Sequence, residues 1–145
     1  QANAKLALDQ MSGGPVRASI HVVAAVVRAQ GNYLCARRKP EKSMGGLWEF
    51  PGGKVEPGEL PGTALARELV EELNLTVTVG EKLGETITGI APEILLEFYE
   101  CELPSRLEVQ STDHDLIVWL PREELLSLEW APADLPFVQQ LVGQA

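Results

Sequence analysis

The most constraining feature of the chain is a nine-residue run, RELVEELNL at positions 67 to 75, which predicts an amphipathic helix with a cluster of acids. Residues three and four positions apart share one face of a helix, so Glu68, Glu71 and Glu72 are expected to lie together. The apolar residues that gather on roughly the opposite side are Leu65, Leu69, Leu73, Ala66 and Val70. Because such a stripe is typical of a helix packed on a core, we expect one face to pack and the other to present the three carboxylates.

Two interpretations of these acids remain open from the helix alone. A solvated acidic face is acceptable in energy, because exposed like-charge pairs at this spacing cost only about 0.2 to 0.5 kcal/mol each. In a partly buried site, each pair of carboxylates about 6 Å apart would instead cost about 3 kcal/mol. A divalent cation would remove that repulsion.

The loop before the helix, PGGKVEPGE, favours the cation. Its paired glycines allow the backbone to approach a ligand closely, and the loop adds a further acid, Glu59. Carboxylate and carbonyl oxygens suit Mg²⁺ or Mn²⁺, whereas zinc prefers His or Cys ligands, and the only histidines of the chain are His21 and His114. The residues therefore indicate a hard divalent cation held by the loop and the helix.

The rest of the chain interleaves strand-like and helix-like segments. Two β-rich runs within residues 19–38 flank Gly31-Asn32, which predicts a hairpin. Further strands are expected at 83–90, 94–103 and 115–120, a short helix opened by Pro121 in PREELLSL, and a last helix in DLPFVQQLV. Since strands and helices do not alternate strictly, this order predicts an α/β fold with a mixed sheet flanked by helices.

Charge and hydropathy limit the domain organisation and the partners. Residues 1–16 carry little periodic signal and are expected to be a flexible segment, followed by one domain over residues 17–145. The formal net charge of -9 argues against a nucleic-acid polymer or an anionic membrane as partner. The longest apolar run, Val22 to Val27, is too short to cross a bilayer, and no signal pattern is visible, so a cytoplasmic location is expected. Cys35 and Cys101 lie in apolar segments and are expected to be buried thiols.

The spacing of glycine and charged residues from Gly53 to Leu75 resembles the signature of the Nudix hydrolases. The matching positions are Gly53, Glu59 after five residues, Arg67-Glu68-Leu69 after seven more, Glu71-Glu72, and the final pair Asn74-Leu75. Asn74 stands where the family usually has glycine, but Asn also tolerates the left-handed conformation that ends a helix. Together with LWEFPGG, the resemblance implies an α/β/α sandwich over residues 20–142 that hydrolyses a nucleoside diphosphate linked to another group.

The resemblance also implies roles for single residues. The ligands of Mg²⁺ or Mn²⁺ would be the carbonyl of Gly52 and the carboxylates of Glu68, Glu71 and Glu72. Arg67 would orient these acids through a salt bridge. Glu68 is the first candidate for the base that activates water. Asp113, in a loop before a strand, is the alternative base and a further candidate ligand, unless it is only a solvated loop acid.

Within the family, LWEFPGGKVEPGE and WAPADLP are similar to the MutT-type nucleoside triphosphate pyrophosphohydrolases. This likeness implies cleaning of the nucleotide pool, with either 8-oxo-dGTP or a cytidine triphosphate as substrate. Arg38 would contact the nucleotide, Asp134 would read the base edge, and Trp48 and Phe50 would line the nucleoside pocket. The competing interpretations are core packing for the aromatics, including Trp130, a surface position for Arg38, and a helix N-cap for Asp134.

Two other functions remain open at this point. One is a Nudix hydrolase of ADP-ribose or dinucleoside polyphosphates, which would be distinguished by its products. The other is a non-catalytic nucleotide-binding module, which would be expected to have lost several of the acids that this chain retains. Base, sugar and oligomeric state are not predicted by the sequence.

Overall fold

The structure is a computed structural model that describes residues 19–90, 92–103 and 109–144. The segment 1–16, predicted to be flexible, lies outside the described residues. Within the described part, the strands are β1 (Ser19–Ala29), β2 (Asn32–Arg38), β3 (Trp48–Glu49), β4 (Gly52–Lys54), β5 (Thr78–Thr88), β6 (Glu93–Glu102) and β7 (His114–Pro121). The helices are α1 (Pro61–Leu73), a 3-10 helix (Arg122–Ser127) and α2 (Leu135–Val142).

The described strands form one mixed sheet with β1 at its centre. The main order is β3-β2-β1-β6-β5, with β4 paired to β1 and β7 paired to β2. β1 and β6 run parallel, whereas the pairings of β1 with β2 and of β1 with β4 are antiparallel. The predicted mixed sheet is therefore confirmed.

The alternation of side chains along β1 builds two cores, one on each face of the sheet. Val23, Ala25 and Val27 pack against the leucines of α1, and these leucines are almost completely buried. Ala24 and Val26 point the other way and pack with the aromatic and aliphatic side chains of α2. Full burial of one such side chain contributes about 1.5 to 3 kcal/mol to folding stability. The packing of α1 on one face and of α2 on the other therefore stabilises the sheet from both sides. This arrangement confirms the α/β/α sandwich.

The inward face of α1 differs from the predicted one. Val70 is 48% exposed and Ala66 is half-buried, whereas Ala64 is fully buried. At about 100° per residue, Glu72 lies only about 20° from Leu65 on the helix wheel, so the buried arc includes this acid rather than opposing it. The prediction of separate packing and acidic faces was therefore wrong in detail, because Glu68 and Glu72 lie at the edge of the packed face.

The predicted element boundaries were also shifted in several places. The hairpin turn is Gln30-Gly31, with φ of 51° and 80°, one residue earlier than the predicted Gly31-Asn32. These two positive φ values fit the tight turns that join antiparallel strands. The short helix predicted to open at Pro121 is present as a 3-10 helix, with Pro121 at its N-cap and also at the end of β7. The short strand β4 lies within PGGKVEPGE, the segment predicted to be a loop.

Two further expectations hold. Asn74 ends α1 with φ 53° and ψ 39°, the left-handed conformation for which Asn can replace glycine. Cys35 and Cys101 are buried free thiols, and burial raises the pKa of each to about 12. Among the described residues, no helix is long and apolar enough to span a membrane.

Candidate active site

Two adjacent glycines bring the loop, the sheet and α1 together. A Cβ atom on Gly52 would overlap the backbone of Val23, because β4 lies tightly against β1. A Cβ atom on Gly53 would overlap the carboxylate of Glu68. The paired glycines therefore allow the first acid of the helix to rest directly on the backbone of β4.

Arg67 uses all of its donors to fix the surrounding acids. Its Nε and Nη2 donate to the two carboxylate oxygens of Glu59 at 2.8 and 3.0 Å. Nη1 donates to Glu68 at 3.1 Å and to Glu71 at 3.2 Å, and Nη2 also donates to the Lys54 carbonyl at 3.2 Å. Five N–H groups thus make five bonds, which is the full capacity of a guanidinium group. These bonds, with one from the Glu56 N–H, lower the pKa of Glu59 to about 2.

The acids of α1 have different environments. Glu71 is 60% exposed and contacts Arg67. Burial raises the pKa of Glu68, although Arg67 opposes the shift. Burial also raises the pKa of Glu72 to about 8, helped by the negative charges of Asp113, Glu49 and Glu68. A solvated acidic face therefore describes Glu71 at most, and Glu72 belongs to a cluster of repelling carboxylates.

This cluster meets the chemical requirements of a hard divalent cation. In residues 19–90, 92–103 and 109–144, no three His, Cys, Asp or Glu side chains are arranged to hold a metal ion by themselves. The carboxylates that act on Glu72, those of Asp113, Glu49 and Glu68, nevertheless offer oxygen ligands, and Gly52 and Glu72 line the same cavity. Repulsion that raises a carboxyl pKa is the condition that a bound cation relieves. Oxygen ligands of this kind are those that Mg²⁺ or Mn²⁺ prefers.

A cavity of about 490 Å³ opens beside these acids. Its polar lining includes Arg38, Glu49, Lys54, Glu72 and Asp134. Its apolar lining includes Val22, Ala24, Met44, Phe50, Ile94, Leu96 and Ala131. A largely apolar cleft with a few placed polar groups is typical of a small-molecule site.

Asp134 lines this cavity and is almost completely buried. The side chain makes no capping hydrogen bond to α2, although the residue stands at the N-cap position. Its Oδ2 instead accepts a hydrogen bond from the Phe50 N–H at 3.1 Å. Asp134 is only 4% exposed, and burial raises its pKa to about 8, with a further contribution from Glu49. The interpretation of this side chain as a helix cap is therefore wrong, and burial favours the uncharged form of the carboxyl group.

Arg38 and Glu49 belong to a network that the sequence did not indicate. Arg38 donates to Glu49 Oε2 at 3.1 Å and to the Ser43 carbonyl at 2.6 Å. The same oxygen of Glu49 lies 2.7 Å from Nε2 of the buried His114, and His114 Nδ1 lies 2.7 Å from Ser111 Oγ. Only tertiary pairing of β2, β3 and β7 brings these residues together, since Glu49 and His114 are 65 positions apart.

The other predicted site residues differ in whether they line the cavity. Phe50 lines the cavity and also packs against Phe98, Trp130 and Phe137. Trp48 and Trp130 are buried core residues that do not line the cavity, so packing accounts for both. Asp113 lies 3.0 Å from Lys42 Nζ and is close enough to Glu72 to shift its pKa.

Comparisons with known proteins agree with the geometry. The family model described as NUDIX domain matches residues 18–141. CTP pyrophosphohydrolase of Escherichia coli (strain K12) is 39% identical over 125 residues, which cover 86% of this chain and 92% of that protein. Putative 8-oxo-dGTP diphosphatase 2 of Mycobacterium tuberculosis is 38% identical over 125 residues, covering 84% of this chain and 86% of that protein. The crystal structure of MutT protein from Methanosarcina mazei Go1 has a TM-score of 0.78 at 24% identity, covers 88% of this chain and 96% of that chain, and shows the shared fold.

Proposed function

The chain belongs to the Nudix family, and from this premise we propose that it is a divalent-cation-dependent nucleoside triphosphate pyrophosphohydrolase that cleans the nucleotide pool. Two relatives that match most of the chain are named for action on CTP and on 8-oxo-dGTP. The proposed products are a nucleoside monophosphate and pyrophosphate.

The observation that carries this proposal is that one cavity joins two chemically different ends. Glu72 and the backbone of Gly52 and Gly53 line it beside the acids of α1. Asp134 and Phe50 line the same cavity and present a buried carboxyl group beside a backbone N–H. A nucleoside triphosphate has matching ends, an anionic polyphosphate that needs a cation and a base edge that needs placed hydrogen-bonding groups.

The residues of α1 and β4 would hold the cation. Glu68, Glu72 and the Gly52 carbonyl are the proposed ligands, with Asp113 as a further carboxylate near Glu72. When bound, Mg²⁺ or Mn²⁺ would neutralise phosphate charge and acidify a water molecule. Glu71 is the outermost proposed ligand, because it is 60% exposed and contacts Arg67. Arg67 would keep the acids in place, since its five donors are used within the protein.

A carboxylate of the chain would then accept the proton of the attacking water. A water molecule adds to one phosphorus of the triphosphate, and the P–O bond between the α and β phosphates breaks. The water proton passes to a carboxylate, for which Glu68 is the first candidate and Asp113 the alternative. Burial raises the pKa of Glu68, which makes it a better proton acceptor than an exposed carboxylate.

Asp134 is proposed to read the base together with Phe50. A protonated carboxyl group offers one donor and one acceptor, much as an amide does. Cytosine presents an amino donor beside a ring acceptor, and an oxidised guanine presents a ring N–H beside a carbonyl. The protonated Asp134 matches either edge, whereas a carboxylate could only accept hydrogen bonds.

A product-resolved screen would test the proposed function. CTP, dCTP, dGTP, 8-oxo-dGTP, ADP-ribose and a dinucleoside tetraphosphate would each be incubated with the protein and Mg²⁺, and the products separated by anion-exchange chromatography. We expect nucleoside monophosphate and pyrophosphate from CTP, dCTP or 8-oxo-dGTP, and no product in EDTA. Preferred cleavage of ADP-ribose or of the dinucleoside polyphosphate would refute the proposal.

A further inference from the structure

The carboxylate of Glu49 is held from two sides in the wall of the cavity. Arg38 Nη1 donates to Oε2 at 3.1 Å, and His114 Nε2 lies 2.7 Å from the same oxygen. Because a carboxylate only accepts hydrogen bonds, His114 donates from Nε2. Among the described residues, neither Arg38 nor His114 bonds the second oxygen, Oε1. One oxygen is thus held by two neighbours, and Glu49 itself lines the cavity.

The His114 ring also has a hydrogen-bond partner at its other nitrogen, Nδ1. Its side chain is fully buried, and Nδ1 lies 2.7 Å from the hydroxyl of Ser111. The Ser111 hydroxyl also accepts the Asp113 N–H at 3.1 Å, so the hydroxyl is itself held in place. The imidazole ring therefore has hydrogen bonds on both nitrogens and one orientation.

Glu49 lines the same cavity as the residues of both ends of the site. Glu72 at the acidic end and Asp134 at the base-reading end also line this cavity. The negative charge of Glu49 helps to raise the pKa of both residues. In a nucleotide, the sugar lies between the base and the phosphates. The Glu49 carboxylate would therefore lie near the sugar of a nucleotide bound with its phosphates at Glu72 and its base at Asp134.

We propose that His114, backed by Ser111, is a positioning residue that holds Glu49 so that its carboxylate accepts a hydrogen bond from a sugar hydroxyl of the nucleotide. This inference rests on the proposed function, because it requires a nucleotide in the cavity. Fixing the carboxylate in advance removes the cost of ordering it when the substrate binds. His114 acts through Glu49 and does not touch the substrate.

The chain provides a matched control for the loss of a histidine-carboxylate pair. His21 Nε2 contacts Glu97 Oε1 at 2.5 Å, and Glu97 is also nearly buried. His21 does not line the cavity, and it alternates on β1 with Val22, which packs against the core on the cavity side. His21→Gln therefore removes a similar pair, of which neither member lines the cavity.

The test measures kcat/KM for CTP, dCTP and 2′,3′-dideoxy-CTP, which carry two, one and no sugar hydroxyls. The wild-type protein is expected to lose at least about tenfold at the step that removes the hydroxyl read by Glu49. In Glu49→Ala and His114→Asn this ratio should fall to within about threefold, with an intermediate ratio in Ser111→Ala. His21→Gln should keep the wild-type ratio. Circular dichroism would verify folding, and if His114→Asn does not fold, Ser111→Ala and Glu49→Ala decide.

The contrary outcomes are distinct. A wild-type protein that hydrolyses all three nucleotides equally would overturn the sugar contact while leaving the proposed function intact. A wild-type ratio that persists in Glu49→Ala, or that shrinks equally in His21→Gln, would overturn the positioning role. If the wild-type protein releases no pyrophosphate from any nucleoside triphosphate, the proposed function itself fails, and this inference fails with it.

Discussion

Asp134→Asn separates a buried protonated acid from an ordinary carboxylate. The substitution keeps the size of the side chain and an oxygen that can accept the Phe50 N–H, but it removes the ability to ionise. Burial raises the Asp134 pKa from 3.8 to about 8 in the folded protein. In the unfolded chain the group ionises near its ordinary value, so the folded state binds more protons between those two pH values.

The sign and size of the effect follow from this difference in proton binding. Stability is greatest below the unfolded pKa and decreases as pH rises towards the folded pKa, because folding must then neutralise or bury a charge. The slope is about 1.4 kcal/mol per pH unit, which amounts to on the order of 4 kcal/mol between pH 4 and pH 7. Asn carries no such penalty, so we expect the variant to gain stability over wild type as pH increases.

The measurement is urea unfolding of both proteins from pH 2.5 to pH 8.5. Asp115→Asn is the control with the opposite sign, because Asp115 is an exposed acid whose pKa is lowered by Arg37 from its ordinary value of 3.8. Its variant should lose stability relative to wild type as pH rises towards 3.8 and show no further change above about pH 5. In activity assays, the ratio of kcat/KM for Asp134→Asn to that for wild type should rise up to about tenfold per pH unit above pH 8.

Parallel stability curves for wild type and Asp134→Asn would refute the raised pKa. A melting temperature lowered equally by Asn and Ala at position 134, with unchanged substrate preference, would show that the group supports the fold and does not read the base.

Three further predictions concern the acids and the glycine pair. Glu72→Gln should lower kcat by at least about a hundredfold without loss of thermal stability, because the amide binds Mg²⁺ poorly while a repelling charge is removed; near-normal turnover would contradict the proposed metal role. Arg67→Lys keeps the charge but loses the planar group that makes five bonds, so kcat should fall more than KM rises in steady-state assays, and the reverse pattern would assign Arg67 to phosphate binding. Gly53→Ala should reduce kcat by at least about tenfold by displacing the Glu68 carboxylate, whereas Gly62→Ala, whose Cβ would meet only Val79 Cγ1 at 3.8 Å, should retain activity; equal rates in both variants would argue against a role for the close approach.

Local sequence was enough to identify the elements that carry the chemistry. The period of the α1 residues predicted the helix, and the spacing from Gly53 to Leu75 indicated the acids and the family. Asn74 was correctly expected to end α1, since the conformational freedom of a residue is a local property. The interleaved order of strand-like and helix-like segments likewise predicted a mixed sheet flanked by helices.

Tertiary packing determined how exposed each acid is and in which direction its pKa is shifted. Glu71 and Glu72 had the same predicted role from sequence alone. In the structure, the side chain of Glu71 is 60% exposed, whereas burial and neighbouring charges raise the pKa of Glu72 to about 8. Asp134 has the sequence context of a helix cap, yet its carboxyl group accepts a hydrogen bond from the Phe50 N–H, 84 positions away.

The pairing of Glu49 with His114 had no local signal at all, because it depends on β3 and β7 each pairing with β2. Backbone conformation depends on neighbours along the chain, and for that reason the sequence determined the helices, the turns and the motif. Burial, repulsion and hydrogen bonding depend on distances between segments that are far apart in sequence, and only the packed sheet sets those distances.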